Sequence, residues 1–412
     1  MPHLTKFNIP DFYFELDVME ASASRVTCVI GPNGSGKSQL LRAIVDAAEG
    51  RNKENDSVID IVPSMHKFSQ VLAISNLVTD VFPSTRRLDK YRYLGVRQAT
   101  NWTGTKAVES LTIDSVLLSL RDVSRIQALH DALKVIGFSE FALELEAEKK
   151  PPRGRPRMVQ ETKLGPRPLD LFEAAVLPLL REMRAEPSKL DLDAWHYFMG
   201  EIESSAQKCE VDMADGIAHL RKRGELVANL VFTQGTRHDS VSGLSAGQLL
   251  VISLAARLAA HIAPDSLVLI DEPEIGLHPT WQSAVAPLLR ALVPKDLESH
   301  IVIATHSPHV VVDADDVLSS GEQWGRFEPF EEAVGGRSVE NILYRVFGAR
   351  VVGNTEVEED LTLLASFIAE PSEARVSEVR LAQKRLQGVA NEETPLVQDI
   401  LREVEMELER TR

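Results

Sequence analysis

The stretch VTCVIGPNGSGKSQLLRAIV, Val26 to Val45, decides the fold. VTCVI has the apolar character of a buried strand, and QLLRAIV reads as a helix with Leu40, Leu41, Ile44 and Val45 on its apolar side. Between them, Gly31, Pro32, Asn33, Gly34, Ser35, Gly36, Lys37 and Ser38 satisfy the glycine-x4-glycine-lysine-serine pattern in the strand, loop, helix order that it requires. Glycine lets backbone amides converge on phosphate oxygens with no side chain in the way, and the helix adds its positive end. Lys37 is expected to reach the terminal phosphates and Ser38 to offer a hydroxyl to magnesium.

A second segment, LVLIDEPE from Leu267 to Glu274, supplies the complement. Adjacent carboxylates at the end of a buried apolar strand repel each other, and a bound cation makes the arrangement sensible. Asp271 is therefore expected to hold magnesium, and Glu272 to orient or deprotonate the attacking water. His306 follows IVIAT at the next strand end, where a ring nitrogen can sense the terminal phosphate or hold that water. The predicted reaction is in-line attack of water on the terminal phosphorus, with Lys37, Glu272 and His306 as catalytic residues. No base-reading residue is evident: Phe12, Tyr13 and Phe14 could stack on a base, but a core strand is the simpler account of them.

Around these motifs the chain divides into four regions. Residues 1–110 carry the first strands and the phosphate loop, including SVIDIVPS, VLAISN and KYRYLGVRQ as short extended runs. Residues 111–225 turn to helical spacing and read as a mainly helical insertion, divided by a proline-rich stretch around Pro151 to Pro168. Residues 226–345 return to sheet, with ELVANLVFTQG, DSLVLIDEPE and HIVIATHSP as strands and PTWQSAVAPLLRALV as a helix. Residues 346–412 form a helical C-terminal segment in which Leu361, Leu364 and Ile368 share one face and Ile400, Val404 and Leu408 another. Glu356, Glu358 and Glu359 read as a solvated helix face.

The 412 residues are 44% hydrophobic and 26% charged, a globular composition. Two cysteines, Cys28 and Cys209, provide no disulfide framework, and no long apolar run suggests a membrane span. A soluble cytoplasmic protein is expected. The net charge of −16 argues against a surface that grips nucleic acid everywhere, leaving local basic patches at Arg86, Arg87, Lys90, Arg92 and Arg97 and at Lys149, Lys150, Arg153, Arg155 and Arg157.

The order of these motifs resembles an ABC-type ATPase head: an α/β fold with mixed and parallel sheet lobes, a helical insertion and a helical C-terminal region. In that family GPNGSGKS corresponds to the Walker A loop, LVLIDE to Walker B with its catalytic glutamate, and His306 to the switch histidine. Leu244, Ser245, Ala246, Gly247 and Gln248 match the signature, which in the family approaches the nucleotide held by another copy. Gln98 is the best match to the Q-loop glutamine, a nucleotide and magnesium contact. EIGLHP departs from the D-loop of transporter ATPases and resembles soluble OLD-like and SMC-related proteins. VLAISN, KYRYLGV, IDEPEIGLHP, THSP and GGRSVENILYRVFG together resemble the ATPase of Septu or retron-associated anti-phage systems.

The resemblance implies ATP as substrate, Mg2+ as cofactor, and a homodimer or higher even-numbered oligomer. It further implies a separate HNH-type nuclease as partner, in some systems with a reverse transcriptase and nucleic acid, and no membrane. A DNA-repair or chromosome-associated clamp, a transporter ATPase subunit and a nucleotide-regulated scaffold with negligible turnover stay open beside it.

Overall fold

A computed structural model of the chain describes residues 3–16, 24–49, 68–77, 79–84, 90–97, 104–147, 168–185, 192–330, 337, 339–345, 347, 355–388, 390 and 395–410. Its strands are β1 (Lys6–Ile9), β2 (Phe12–Glu15), β3 (Arg25–Ile30), β4 (Gln70–Ser75), β5 (Tyr91–Tyr93), β6 (Glu140–Ala147), β7 (Leu226–Gln234), β8 (Arg237–Ser240), β9 (Ser266–Asp271), β10 (His300–Ala304), β11 (Asp316–Ser320) and β12 (Phe327–Pro329). Its helices are α1 (Lys37–Ala48), α2 (Thr105–Ser119), α3 (Val123–Val135), α4 (Pro168–Ala185), α5 (Leu192–Lys208), α6 (Met213–Lys222), α7 (Ala246–His261), α8 (Pro279–Gln282), α9 (Val285–Leu292), α10 (Pro308–Val311), α11 (Val339–Arg345), α12 (Thr355–Ala369), α13 (Val376–Gln387) and α14 (Pro395–Arg410).

Seven strands form the central sheet in the order β12-β11-β3-β10-β9-β4-β5. All neighbours are parallel except β12, which returns antiparallel beside β11. The phosphate-loop strand β3 and the carboxylate strand β9 flank β10, with Ala304 level with Val29 on one side and Asp271 on the other. The residues that follow these three strands therefore emerge along one edge of the sheet, where ligands bind in parallel α/β folds.

The apolar runs are buried on both faces, as parallel strands under helices must be. Side chains alternate: Val268 and Ile270 of β9 and Ile301 and Ile303 of β10 enter one core, whereas Leu267, Leu269, Val302 and Ala304 enter the other. The second core is closed by α1, through Leu40, Leu41, Ile44 and Val45, and by the β1-β2 hairpin, through Phe7, Phe12 and Phe14. The first is closed by α7, whose Leu249, Val251, Leu254, Ala255, Leu258 and Ala259 are all buried. A helix apolar on every side needs cover on every side. The sheet provides some of it, and α2 lies along the rest.

Two elements differ from the sequence expectation. β7, from ELVANLVFTQG, leaves the central sheet and pairs antiparallel with β6 and β8. β6 is a strand inside the region whose spacing predicted helices; Leu143 and Leu145 point inward while Glu144 points out, a period of two that eight residues between two helices obscured. At the other end, α12, α13 and α14 bury Leu364, Phe367, Val379, Leu386, Val404 and Leu408 in a small core of their own. Glu358 and Glu359 are exposed there, whereas Glu356 pairs with Arg337 and Arg345 and the neighbouring Asp360 is buried against Arg385. SVIDIVPS, Gln98, Arg86, Arg87 and the basic run Lys149 to Arg157 lie outside the described residues.

Candidate active site

Gly34 and Gly36 sit at φ 82° and 94°, in the left-handed region that a side chain disfavours, and Gly36 is the residue from which α1 starts. Gly31 is needed for space: a Cβ there would lie 2.5 Å from Ser320 Oγ. The loop thus curls over the positive end of a twelve-residue helix. Lys37 folds back inside it, 4% exposed, with Nζ donating to the carbonyls of Gly31 at 2.9 Å and Pro32 at 3.2 Å. Burial lowers its pKa, opposed by the negative charge of Glu272, Asp271 and Glu274.

Ser38 Oγ, one residue on, donates to Asp271 Oδ1 at 2.8 Å across the sheet edge. Asp271 is 2% exposed, and burial, with help from Glu272, Asp80 and Glu274, pushes its carboxyl up to about 6 against the opposing Ser38 hydrogen bond. A buried carboxylate with so little to stabilise its charge is short of a cation. Adjacent oxygen ligands of an octahedral Mg2+, each about 2.0–2.1 Å from the ion, are about 2.9 Å apart. The Ser38–Asp271 spacing of 2.8 Å fits such an ion.

Glu272 has φ 47°, a left-handed turn that costs a non-glycine residue about 1 kcal/mol, held by its N–H donating to Ala304 O at 2.9 Å. Its Oε1 lies 3.3 Å from His306 Nε2. Burial, and then the Lys37 charge, depress the His306 pKa and favour a neutral imidazole, against the opposing charge of Glu272. Lys37, Ser38, Asp271, Glu272 and His306, predicted from three separated segments, thus gather at one edge.

Glu274, the first residue of EIGLHP, lies behind this edge. It is 8% exposed, and its Oε1 accepts from Thr305 Oγ1 and from the His306 N–H, both at 2.7 Å. The second glutamate of DEPE therefore ties the loop after β9 to the loop after β10. Burial raises its pKa. The only signal in sequence was an acid repeated within a buried motif.

Ser245 caps α7. Its Oγ accepts from Gln248 N at 3.3 Å while Gln248 Oε1 accepts from Ser245 N at 2.9 Å, a reciprocal capping box. Leu244 leads into it, α7 itself starts at Ala246, and a Cβ on Gly247 would stand 2.6 Å from the carbonyl oxygen of Gly276. The segment therefore packs against EIGLHP. Among the described residues, no hydrogen bond joins Leu244–Gln248 to Gly31–Ser38.

Behind this segment, and unanticipated from sequence, Arg257 is 1% exposed. It donates to Ser253 O, to Leu94 O and to Asn76 Oδ1, and among the described residues no carboxylate pairs with it. It fastens α7 to the ends of β4 and β5. Elsewhere, Asp170, Glu173 and His219 come together between α4 and α6, where Arg223 already lies 3.2 Å from Glu173. Among the described residues no helix is long and apolar enough to cross a membrane.

The domain family described as "AAA domain, putative AbiEii toxin, Type IV TA system" matches residues 201–313, which include the signature-like segment, Asp271, Glu272 and His306. The UvrABC system protein A of Aquifex aeolicus is 32% identical over 29% of this chain and 12% of its own length. The Septu protein PtuA of Bacillus thuringiensis is 30% identical over 28% of this chain and 30% of its own. The UvrABC system protein A of Rickettsia conorii is 23% identical over 50% of this chain and 20% of its own length, so the matches span a minor part of each relative. Among solved structures, an Smc head domain of Pyrococcus furiosus aligns over 80% of this chain and 96% of its own, at 13% identity and a TM-score of 0.33. The chain has a mixed α/β fold with a glycine-rich phosphate loop and a helical C-terminal region, like that of an ABC-type ATPase head, and matches in part UvrABC system protein A and the Septu protein PtuA.

Proposed function

We propose that this chain is one head of an ATP-driven clamp acting in DNA repair or chromosome maintenance, in which two copies close around two Mg-ATP molecules and open on hydrolysis. One observation carries the pairing. Lys37, Ser38, Asp271, Glu272 and His306 gather at a single edge, while Ser245 and Gly247 present the start of α7 beside Gly276 with no bond to the phosphate loop. A helix start that makes no hydrogen bond to its own phosphate loop is suited to the nucleotide of a second copy. The UvrA matches support the DNA assignment.

Ser38 and Asp271 would hold Mg2+, which supplies positive charge to the phosphate oxygens and keeps Asp271 ionised. The loop amides and Lys37 orient the triphosphate. Glu272 holds the attacking water and takes its proton, and His306, as neutral imidazole, donates to the terminal phosphate. Gln98 would add a further contact to the ion and the terminal phosphate.

The test uses wild-type chain and Glu272→Gln with Mg-ATP, followed by light scattering, turnover and duplex DNA binding across a salt series. The expected result is a stable pair only for Glu272→Gln with ATP, turnover lower by about 10²-fold or more, and salt-dependent DNA retention by the pair. A Glu272→Gln chain that stays single with ATP refutes the clamp. A pair that ignores DNA favours a second reading supported by the Septu match: nucleotide-controlled regulation of a separate effector, such as an HNH-type nuclease with or without a reverse transcriptase, in anti-phage defence.

A further inference from the structure

Trp324 is 58% exposed, and no other tryptophan or phenylalanine with a described side chain is exposed. It lies on the turn between β11 and β12, yet its indole Nε1–H donates to the carbonyl of Gly34, in the phosphate loop, at 3.1 Å. Its ring also rests on Phe12, with centroids 5.1 Å apart, and on Gly36, where a Cβ would come within 3.3 Å of it. The turn itself is clamped. Tyr13 N donates to Gly325 O at 3.0 Å, Gly325 adopts φ 78°, a Cβ there would strike Asp11 O at 1.9 Å, and Arg326 stacks over the Tyr13 ring.

A large side chain pinned at one edge loses conformational freedom, and this one does so without gaining burial on its open side. An aromatic ring held in place beside a phosphate-binding loop, with one face open, is suited to stacking a second flat ring. The ligand that joins a triphosphate to a flat π-system is a nucleoside triphosphate. Phe12 and Phe14 are not available for this role: both are core residues.

The geometry points to Trp324 as the stacking platform for the purine base of the nucleotide whose phosphates occupy Gly31–Ser38. This deepens the ATP-binding reading above and rests on it. Stacking on an indole is tolerant of base identity, so ATP and GTP should gain alike from it. It also explains why no base-reading residue was evident near the loop: the platform comes from a turn that follows the last catalytic segment.

Calorimetric titration of the full chain, as wild type, Trp324→Ala and Trp324→Phe, with Mg-ATP and with inorganic tripolyphosphate separates the possibilities. The expected result is a loss of about tenfold in ATP affinity for Trp324→Ala, most of the affinity kept by Trp324→Phe, and tripolyphosphate binding equal in all three. Equal ATP affinity in wild type and Trp324→Ala overturns the platform. So does an equal loss for tripolyphosphate, which would mean that the indole only braces Gly34. Wild-type protein that binds neither probe refutes the ATP reading itself and the platform with it.

Discussion

Replacing Asp271 with asparagine should make the nucleotide-free protein more stable while abolishing turnover. Burial lifts this carboxyl from 3.8 to about 6, so in neutral solution the folded chain carries a charge that the unfolded chain carries more easily. The sign follows from linkage. Well below pH 3.8 the group is protonated in both states and nothing is lost; as pH rises from there to 6 the unfolded state gains increasingly from ionisation and folded stability falls, levelling off above 6. The gap corresponds to about 3 kcal/mol at pH 7.5 and about 1 kcal/mol at pH 4.5. Asparagine cannot ionise, and its Oδ1 can still accept from Ser38 Oγ. With an unfolding entropy of about 2.1 cal/mol/K per residue, 3 kcal/mol raises the Tm of a chain this long by about 3–4 °C. Scanning calorimetry in a chelator at pH 7.5 and 4.5 measures it. A variant no more stable than wild type at pH 7.5, or equally favoured at both pH values, would refute the account of Asp271 as an uncompensated buried acid.

Gly247→Ala places a methyl group 2.6 Å from Gly276 O and must push the start of α7 off its neighbouring loop. Light scattering and calorimetry should show ATP-dependent pairing weakened at least tenfold with ATP binding by the single chain unchanged, the reverse of what a phosphate-loop defect produces. Glu274→Ala should lower kcat about tenfold at little cost in KM by releasing Thr305 and the His306 N–H, whereas Glu274→Gln, which keeps the acceptor oxygen, should restore most of it. Arg257→Ala should destabilise the fold by about 2–4 kcal/mol in chemical denaturation, because it leaves the Leu94 carbonyl and Asn76 Oδ1 buried without their donor.

The candidate site was legible because its pieces are local. A phosphate loop is eight consecutive residues, Asp271 and Glu272 are adjacent, and each follows a strand whose apolar run is visible by itself. Parallel pairing then leaves few ways to arrange them. What sequence hid depends on partners distant along the chain. Glu274 looks like one more acid until Thr305 and the His306 N–H close on it. Trp324 is an unremarkable turn residue until its indole meets Gly34. Arg257 is a lone charge in an apolar segment, and only the burial of α7 by distant elements shows it to be enclosed. β6 was missed because its alternation is brief and lies among helices.

The strand order has a consequence for how the chain is made. Both neighbours of β3 are β10 and β11, which begin at His300 and Asp316, so the strand that delivers the phosphate loop waits for most of the chain before either of its edges is covered. During synthesis, an amino-terminal fragment would expose an apolar strand with two open edges, a hazard for misassembly. It would also lack Asp271 and His306. Under the proposed function, nucleotide capture would signal completion: a fragment that ends before β10 has the phosphate loop without His306, and ATP would stabilise only a chain in which β10 already lies between β3 and β9.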